Sequence, residues 1–295
     1  MALENEIQVR RHASDATPGR IPKVHQGNQQ GLRAKLGNRT SDSGKNGSWA
    51  KDFQHQTQWA LVAIPAPIYF GGKAASLSQG EGFNMFIGHW APAMVAATRK
   101  DAPSLPVLFI AAQLVDWAFF LFLIFGVEAM RVSPGISVMN PMDLYHMPYT
   151  HSLLGSAAWA AAFGALIFAV GCNRNAAIIG ALVVLSHWFL DLLVHVPDLT
   201  IAGSAPKLGL GLWNHPAIEM PLELALTFGG LWLYAAKAKP NRVPLFALAG
   251  VLLALQAFNW FGPVEAEVTL GTSLLALVAY GVVTLVAWWT ARSVN

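Results

Sequence analysis

The sequence predicts an all-α integral membrane protein: a bundle of six to seven apolar helices behind a disordered N-terminal tail. Three observations predict it. Hydrophobic residues make up 54% of the chain against 12% charged, and they fall into separate blocks of roughly membrane-crossing length. Residues 1–84 are instead rich in Gln, Asn, Gly, Ser, Lys and Arg and show no sustained periodicity. Basic residues alternate between loops, as they do in multi-pass proteins.

The chain thus divides at about residue 84. The tail, 1–84, buries too little apolar surface to order itself. Its one apolar run, 59–72, is too short to span and contains Pro65 and Pro67, so it reads as interfacial or disordered. A second reading makes the tail a gene-start artefact. Met85 opens the first membrane-like block, and Gly80-Glu81-Gly82 before it can be encoded by a purine-rich ribosome-binding sequence. Peptide mapping of the native N-terminus separates the two. The first residues are polar and charged, with no apolar core of a signal peptide.

Seven blocks follow in 85–295. Block one (85–98) is short and holds His89 and Pro92. Block two (106–127) carries Asp116 near its middle. Block three (150–171) is rich in Ala and Gly and suits close helix packing. Block four is 176–196. Block five (217–236) carries Glu219 and Glu223, four residues apart. Block six is 243–261. Block seven (270–290) ends on Trp288 and Trp289, as at a membrane interface.

Arg99 and Lys100, then Arg174, then Lys237, Lys239 and Arg242, then Arg292 mark one side. Arg131, Lys207 and the acidic pair Glu265 and Glu267 mark the other. The positive-inside rule makes the first side, and the C-terminus, cytoplasmic. A fully spanning block one would then put the basic tail outside, so block one is re-entrant or the tail is not native. The net charge of +3 reads as topology and lipid-surface charge, not as a nucleic-acid face. Cys172 is the only cysteine. That excludes an intramolecular disulfide and any thiolate cluster, so a metal site must use nitrogen and oxygen.

The polar residues inside the blocks carry the functional expectation. His187, Asp191 and His195 at i, i+4 and i+8 form one stripe on a helix face. Ionisable groups at membrane depth are costly and mark interior sites, and imidazole with carboxylate at this spacing suits a divalent metal. At about 1.5 Å per residue, Asp116 and His187 lie roughly 15–20 Å from the cytoplasmic end of their helices. Asp191 is one turn further out and His195 two. His89 reaches mid-membrane, and His151 opens block three from the outer side. These six residues, from four blocks, are expected to converge in the outward half of the bundle. Thr150 or Ser152 caps the helix that His151 begins. His146 and His215 read as solvated loop histidines. Glu219 and Glu223 read equally as a site pair or as helix-start charges, and Asp198 as a ligand or a cap.

His89, the segment Gln113-Leu114-Val115-Asp116, Thr150-His151-Ser152-Leu153 and His187-x-x-x-Asp191 together resemble the predicted membrane-bound metal-dependent hydrolases of the DUF457, or YdjM-like, inner-membrane type. The resemblance covers about 85–200. It implies metal-ligand roles for His89, Asp116, His151, His187 and Asp191. Leu114-Val115-Asp116-Trp117 has one acidic residue fewer than the family's Pro-Asp-x-Asp element, and His146-Met147-Pro148 lacks the Arg of its His-Arg-Gly segment.

The expected function is hydrolysis of a lipid or lipid-linked ester or phosphoester at the outward side of the inner membrane. One or two divalent ions, zinc first and manganese or magnesium next, would activate water. Asp198 or Glu219 would take the proton. Two other classes compete: a proton or metal-ion transporter, which needs polar groups continuing to the cytoplasmic side, and a structural protein whose polar residues only join helices.

Overall fold

The computed structural model describes residues 86–171, 173–263 and 266–294. The expected tail, 1–84, lies outside them, as do Met85, Cys172 and Glu265. A 3-10 turn (Ile87–His89) leads directly into α1 (Trp90–Ala96). Next come α2 (Leu105–Ala112) and α3 (Leu114–Ile124), then α4 (Leu153–Ala169) and α5 (Arg174–Val194). The last helices are α6 (Pro216–Ala238), α7 (Arg242–Phe261) and α8 (Leu270–Arg292). Their starts follow local chemistry. Asn173 caps α5 by accepting from the Ala176 amide, and Thr269 with Thr272 forms a capping box on α8.

By length and composition α5, α7 and α8 can each cross a membrane, and α2 with α3 makes a fourth if the bent pair is one span. α4, with 17 residues, is short for a span, and Glu219 and Glu223 lower the hydropathy of α6. Large apolar side chains such as Leu166, Phe168, Leu182, Phe189, Trp232 and Phe246 point outward and are exposed. A soluble protein rarely leaves so much apolar surface uncovered; a lipid-facing one must.

Three expectations need correction. Block two is not one helix: α2 and α3 meet at Gln113 with a bend of 53°. The bend frees the Ala112 carbonyl from the helical ladder, and the His187 ring takes it at 2.8 Å. His195 does not continue the stripe as a helical residue, because α5 ends at Val194 and His195 caps it in extended conformation. The fold is also not wholly α. β1 (Ala129–Val132) pairs antiparallel with β2 (Met142–His146), and β3 (Leu199–Thr200) with β4 (Lys207–Leu208). Strands this short leave too little alternation to read against their loops. The first hairpin sets Arg131 opposite Asp143, and the Arg131 Nε and Nη2 donate to Asp143 Oδ2 at 2.8 and 2.7 Å.

α4 and α5 form an antiparallel pair held close by small residues. A Cβ on Gly164 would stand 3.1 Å from the Ala177 carbonyl and 3.2 Å from the Ala181 Cβ. Gly164→Val is therefore expected to destabilise the protein by about 1–3 kcal/mol through overpacking. A lowered thermal midpoint in detergent checks this, with Gly250→Val, which has open space, as control.

Candidate metal centre

Four separate segments bring their polar side chains to one buried point. The 3-10 turn contributes His89, α3 contributes Asp116, the segment before α4 contributes His151, and α5 with its cap contributes His187, Asp191 and His195. All six expected ligands meet here. His89, His151, His187, Asp191 and His195 are all buried, and the Asp116 side chain is 14% exposed.

Asp191 sits at the hub. Its Oδ1 lies 3.0 Å from His89 Nε2 and 3.6 Å from His195 Nε2; its Oδ2 lies 3.2 Å from His187 Nε2 and 3.7 Å from His151 Nε2. Asp116 Oδ1 completes a ring, 3.2 Å from His151 Nε2 and 3.4 Å from His187 Nε2. Neighbouring ligands held at about 2.1 Å from one divalent ion stand roughly 3.0–3.4 Å apart; four of these six contacts match that spacing, and the His195–Asp191 and His151–Asp191 contacts are longer. The rings of His89 and His187 stack at 3.8 Å and 9°.

Three of the four imidazoles are oriented from behind, while His89 Nδ1 is buried without a hydrogen-bond partner among the described residues. His187 Nδ1 faces the Ala112 carbonyl, which only accepts, so Nδ1 carries the hydrogen and Nε2 presents its lone pair. His151 Nδ1 lies 2.8 Å from Thr150 Oγ1, whose own hydrogen goes to Glu128 Oε2 at 2.6 Å. The hydroxyl thus accepts from His151 and again leaves Nε2 bare. Glu128 is fixed in turn by the amides of Tyr149 and Thr150 at 2.7 and 3.0 Å. His195 Nδ1 is 3.0 Å from Asp198 Oδ1. With the rings neutral, these three imidazoles turn bare Nε2 atoms on two carboxylates, and either a proton on each ring or a shared cation would join them.

A shared cation would also meet buried polar atoms that lack partners. His187 Nε2 and Asp191 Oδ2 are buried and make no hydrogen bond of acceptable geometry, although they lie within 4 Å of charged neighbours. A cavity of about 50 Å³ borders the cluster, room for an ion and a water. Two sets of three, His89–His187–Asp191 and Asp116–His151–His187, hold their donor atoms within 4.8 Å of one another and could each bind an ion. His187 belongs to both but has only Nε2 to give, so both cannot be filled through it at once. Asp191, with one oxygen toward each side, is the group able to bridge. His195 belongs to neither set.

The two expected proton acceptors are placed differently. Asp198 is buried behind His195, in contact with its Nδ1, and does not line the cavity. Glu219 is buried in α6, hydrogen-bonded to Glu223, and does not line the cavity. Glu223 accepts from the Ile87 amide at 2.6 Å and from Gln256 Nε2 at 2.5 Å, which anchors the turn that carries His89. His146 and His215 are exposed, as solvated loop histidines would be, though His146 ends β2. Ser152, not Thr150, caps α4, accepting from the Gly155 amide.

Sequence reading missed Glu128 and Tyr280. Tyr280 in α8 is fully buried and donates to Asp116 Oδ2 at 2.9 Å, turning Oδ1 to the histidines. A lone Tyr inside an apolar span was the available signal, since its hydroxyl needs a buried partner. Tyr280→Phe is expected to weaken metal binding about tenfold, measured by competition with a chromogenic chelator. Compared with known proteins, the chain matches no family model, no curated protein and no solved structure.

Proposed function

We propose that the chain is a multi-pass inner-membrane, metal-dependent hydrolase of lipid or lipid-linked esters or phosphoesters, of the type its motifs resemble. The single observation that carries this reading is the buried ring of four imidazole Nε2 atoms around the Asp116 and Asp191 carboxylates, three of the imidazoles held through Nδ1 from behind. The reading takes the six to seven apolar blocks as membrane helices, the C-terminus as cytoplasmic and the metal centre as lying in the outward half. Zinc fits the neutral imidazoles and carboxylates best, and manganese is the alternative. A bound divalent ion supplies a water of lowered pKa and polarises the scissile group.

The remaining roles belong to the chain itself. His195 borders the cavity and carries Asp198 on its Nδ1. Its Nε2 takes the proton from the attacking water and returns it to the leaving group, while Asp198 stabilises the imidazolium formed between. Asp198 is thus a positioning residue, and His195 replaces Asp198 and Glu219 as the acid–base group. Phe119 and Phe120 wall the cavity and limit water.

The full-length protein in detergent is expected to contain stoichiometric zinc or manganese. It should hydrolyse lipid esters with activity lost to chelation and restored by metal. His195→Ala is expected to keep the metal and lose about 100-fold or more in kcat. Metal-free wild type after reconstitution with added ions would remove the reading. Loss of metal in His195→Ala would make that residue a ligand.

A further inference from the structure

The charge of the cavity bears on the reacting group. Two carboxylates, Asp116 and Asp191, stand at its floor, and a single divalent ion would only neutralise them. Among the described residues that line the cavity, none is Lys or Arg. The nearby cations are spent elsewhere: Arg131 pairs with Asp143, and Lys207 Nζ donates to the Asp198 carbonyl at 2.8 Å.

Helix N-termini are the other common source of anion binding; that of α3 already carries the Asp116 carboxylate in its first turn, and those of α4 and α6 are closed. In α4, which begins just after His151, the Leu154 amide donates to the Ile201 carbonyl, the Gly155 amide to Ser152 Oγ and the Ser156 amide to the Ser152 carbonyl. In α6 the first residue is Pro216, which has no N–H, and the amides of Ile218 and Glu219 both donate to the His215 carbonyl. Much of the lining is apolar and soft, with Phe86, Met130, Met142 and Trp213 among it. A phosphoryl group would bring a full negative charge into this space with no surplus positive charge to meet it.

We infer that the cavity takes a neutral carbonyl, a carboxylic ester or amide flanked by apolar chain, and not a phosphoester. This rests on the hydrolase reading above and narrows its substrate class. In the reaction the water oxygen bonds to the carbonyl carbon, and the bond from that carbon to the alkoxy oxygen or amide nitrogen breaks. One water proton goes to the leaving group through His195 and the other stays on the new carboxyl. Atoms and charge balance without a further reactant.

The test uses two probes of equal chain length, a long-chain alkyl trifluoromethyl ketone and the corresponding alkylphosphonate. Binding of the ketone to full-length, metal-loaded protein in detergent is followed by fluorine NMR, and the phosphonate is then added as competitor. Metal content is measured first, by elemental analysis. The ketone is expected to bind at least about tenfold more tightly than the phosphonate, and its signal to be unshifted with His187→Ala. A phosphonate that binds as tightly or more tightly overturns the substrate class and leaves the metal reading intact. Failure of both probes on metal-loaded protein overturns the substrate class too. Failure of metal loading, read before any probe is added, takes down the hydrolase reading itself.

Discussion

Asp191→Ala is expected to lose its metal completely in elemental analysis of the purified protein, while the helical content stays intact. Asp191 touches all four imidazoles of the centre, at 3.0, 3.2, 3.6 and 3.7 Å. Among the described residues, no other side chain joins the His89 side of the cluster to the Asp116 side through separate oxygens. Outer-shell changes at metal sites already cost about 10–100-fold in affinity, so removal of this hub should exceed that. The substitution should spare the fold, because alanine is a good helix former and the variant no longer buries a carboxylate. Asp143→Ala is the matching control. It removes a carboxylate that pairs with the exposed Arg131 on the hairpin and should keep full metal content. If Asp191→Ala retains stoichiometric metal, the ion is held elsewhere.

The second large effect is expected from a residue that touches no metal. Thr150→Val keeps the side-chain shape but removes the only acceptor for His151 Nδ1 and the donor to Glu128 Oε2. His151 is then free to carry its hydrogen on Nε2, where it blocks the lone pair. Metal affinity should fall about 10–100-fold, read by chelator competition. The buried Glu128 also loses a donor, which should cost about 1–3 kcal/mol of stability and lower the thermal midpoint. Thr150→Ser restores the hydroxyl and should restore both measures. A variant that loses stability but keeps wild-type affinity would show that Thr150 supports the fold and not the tautomer.

Six polar residues stood out in the sequence by itself, His89, Asp116, His151, His187, Asp191 and His195, and the fold brings them together. Helical periodicity placed His187 and Asp191 on one face, because four residues make nearly one turn. Counting residues from the basic loops led to the expectation that His89, Asp116 and His151 lie at similar heights, and the fold brings His151 to Asp116 and His89 to the shared Asp191. Depth along a helix is a one-dimensional quantity, and a one-dimensional pattern can carry it.

Only the tertiary structure decided how those residues act. The break at Gln113 depends on a carbonyl meeting the His187 ring across 75 positions of chain, and no local pattern encodes that choice. Glu128 and Tyr280 joined the site for the same reason: each reaches it through a partner distant in sequence, Thr150 and Asp116. Asp198 and Glu219 looked alike as acidic groups near the outer ends of helices. Their difference lies in their neighbours, a cavity-lining imidazole for one and a second buried carboxyl for the other. Hydrogen-bond direction fixes tautomer and role, and direction exists only once the chain is folded.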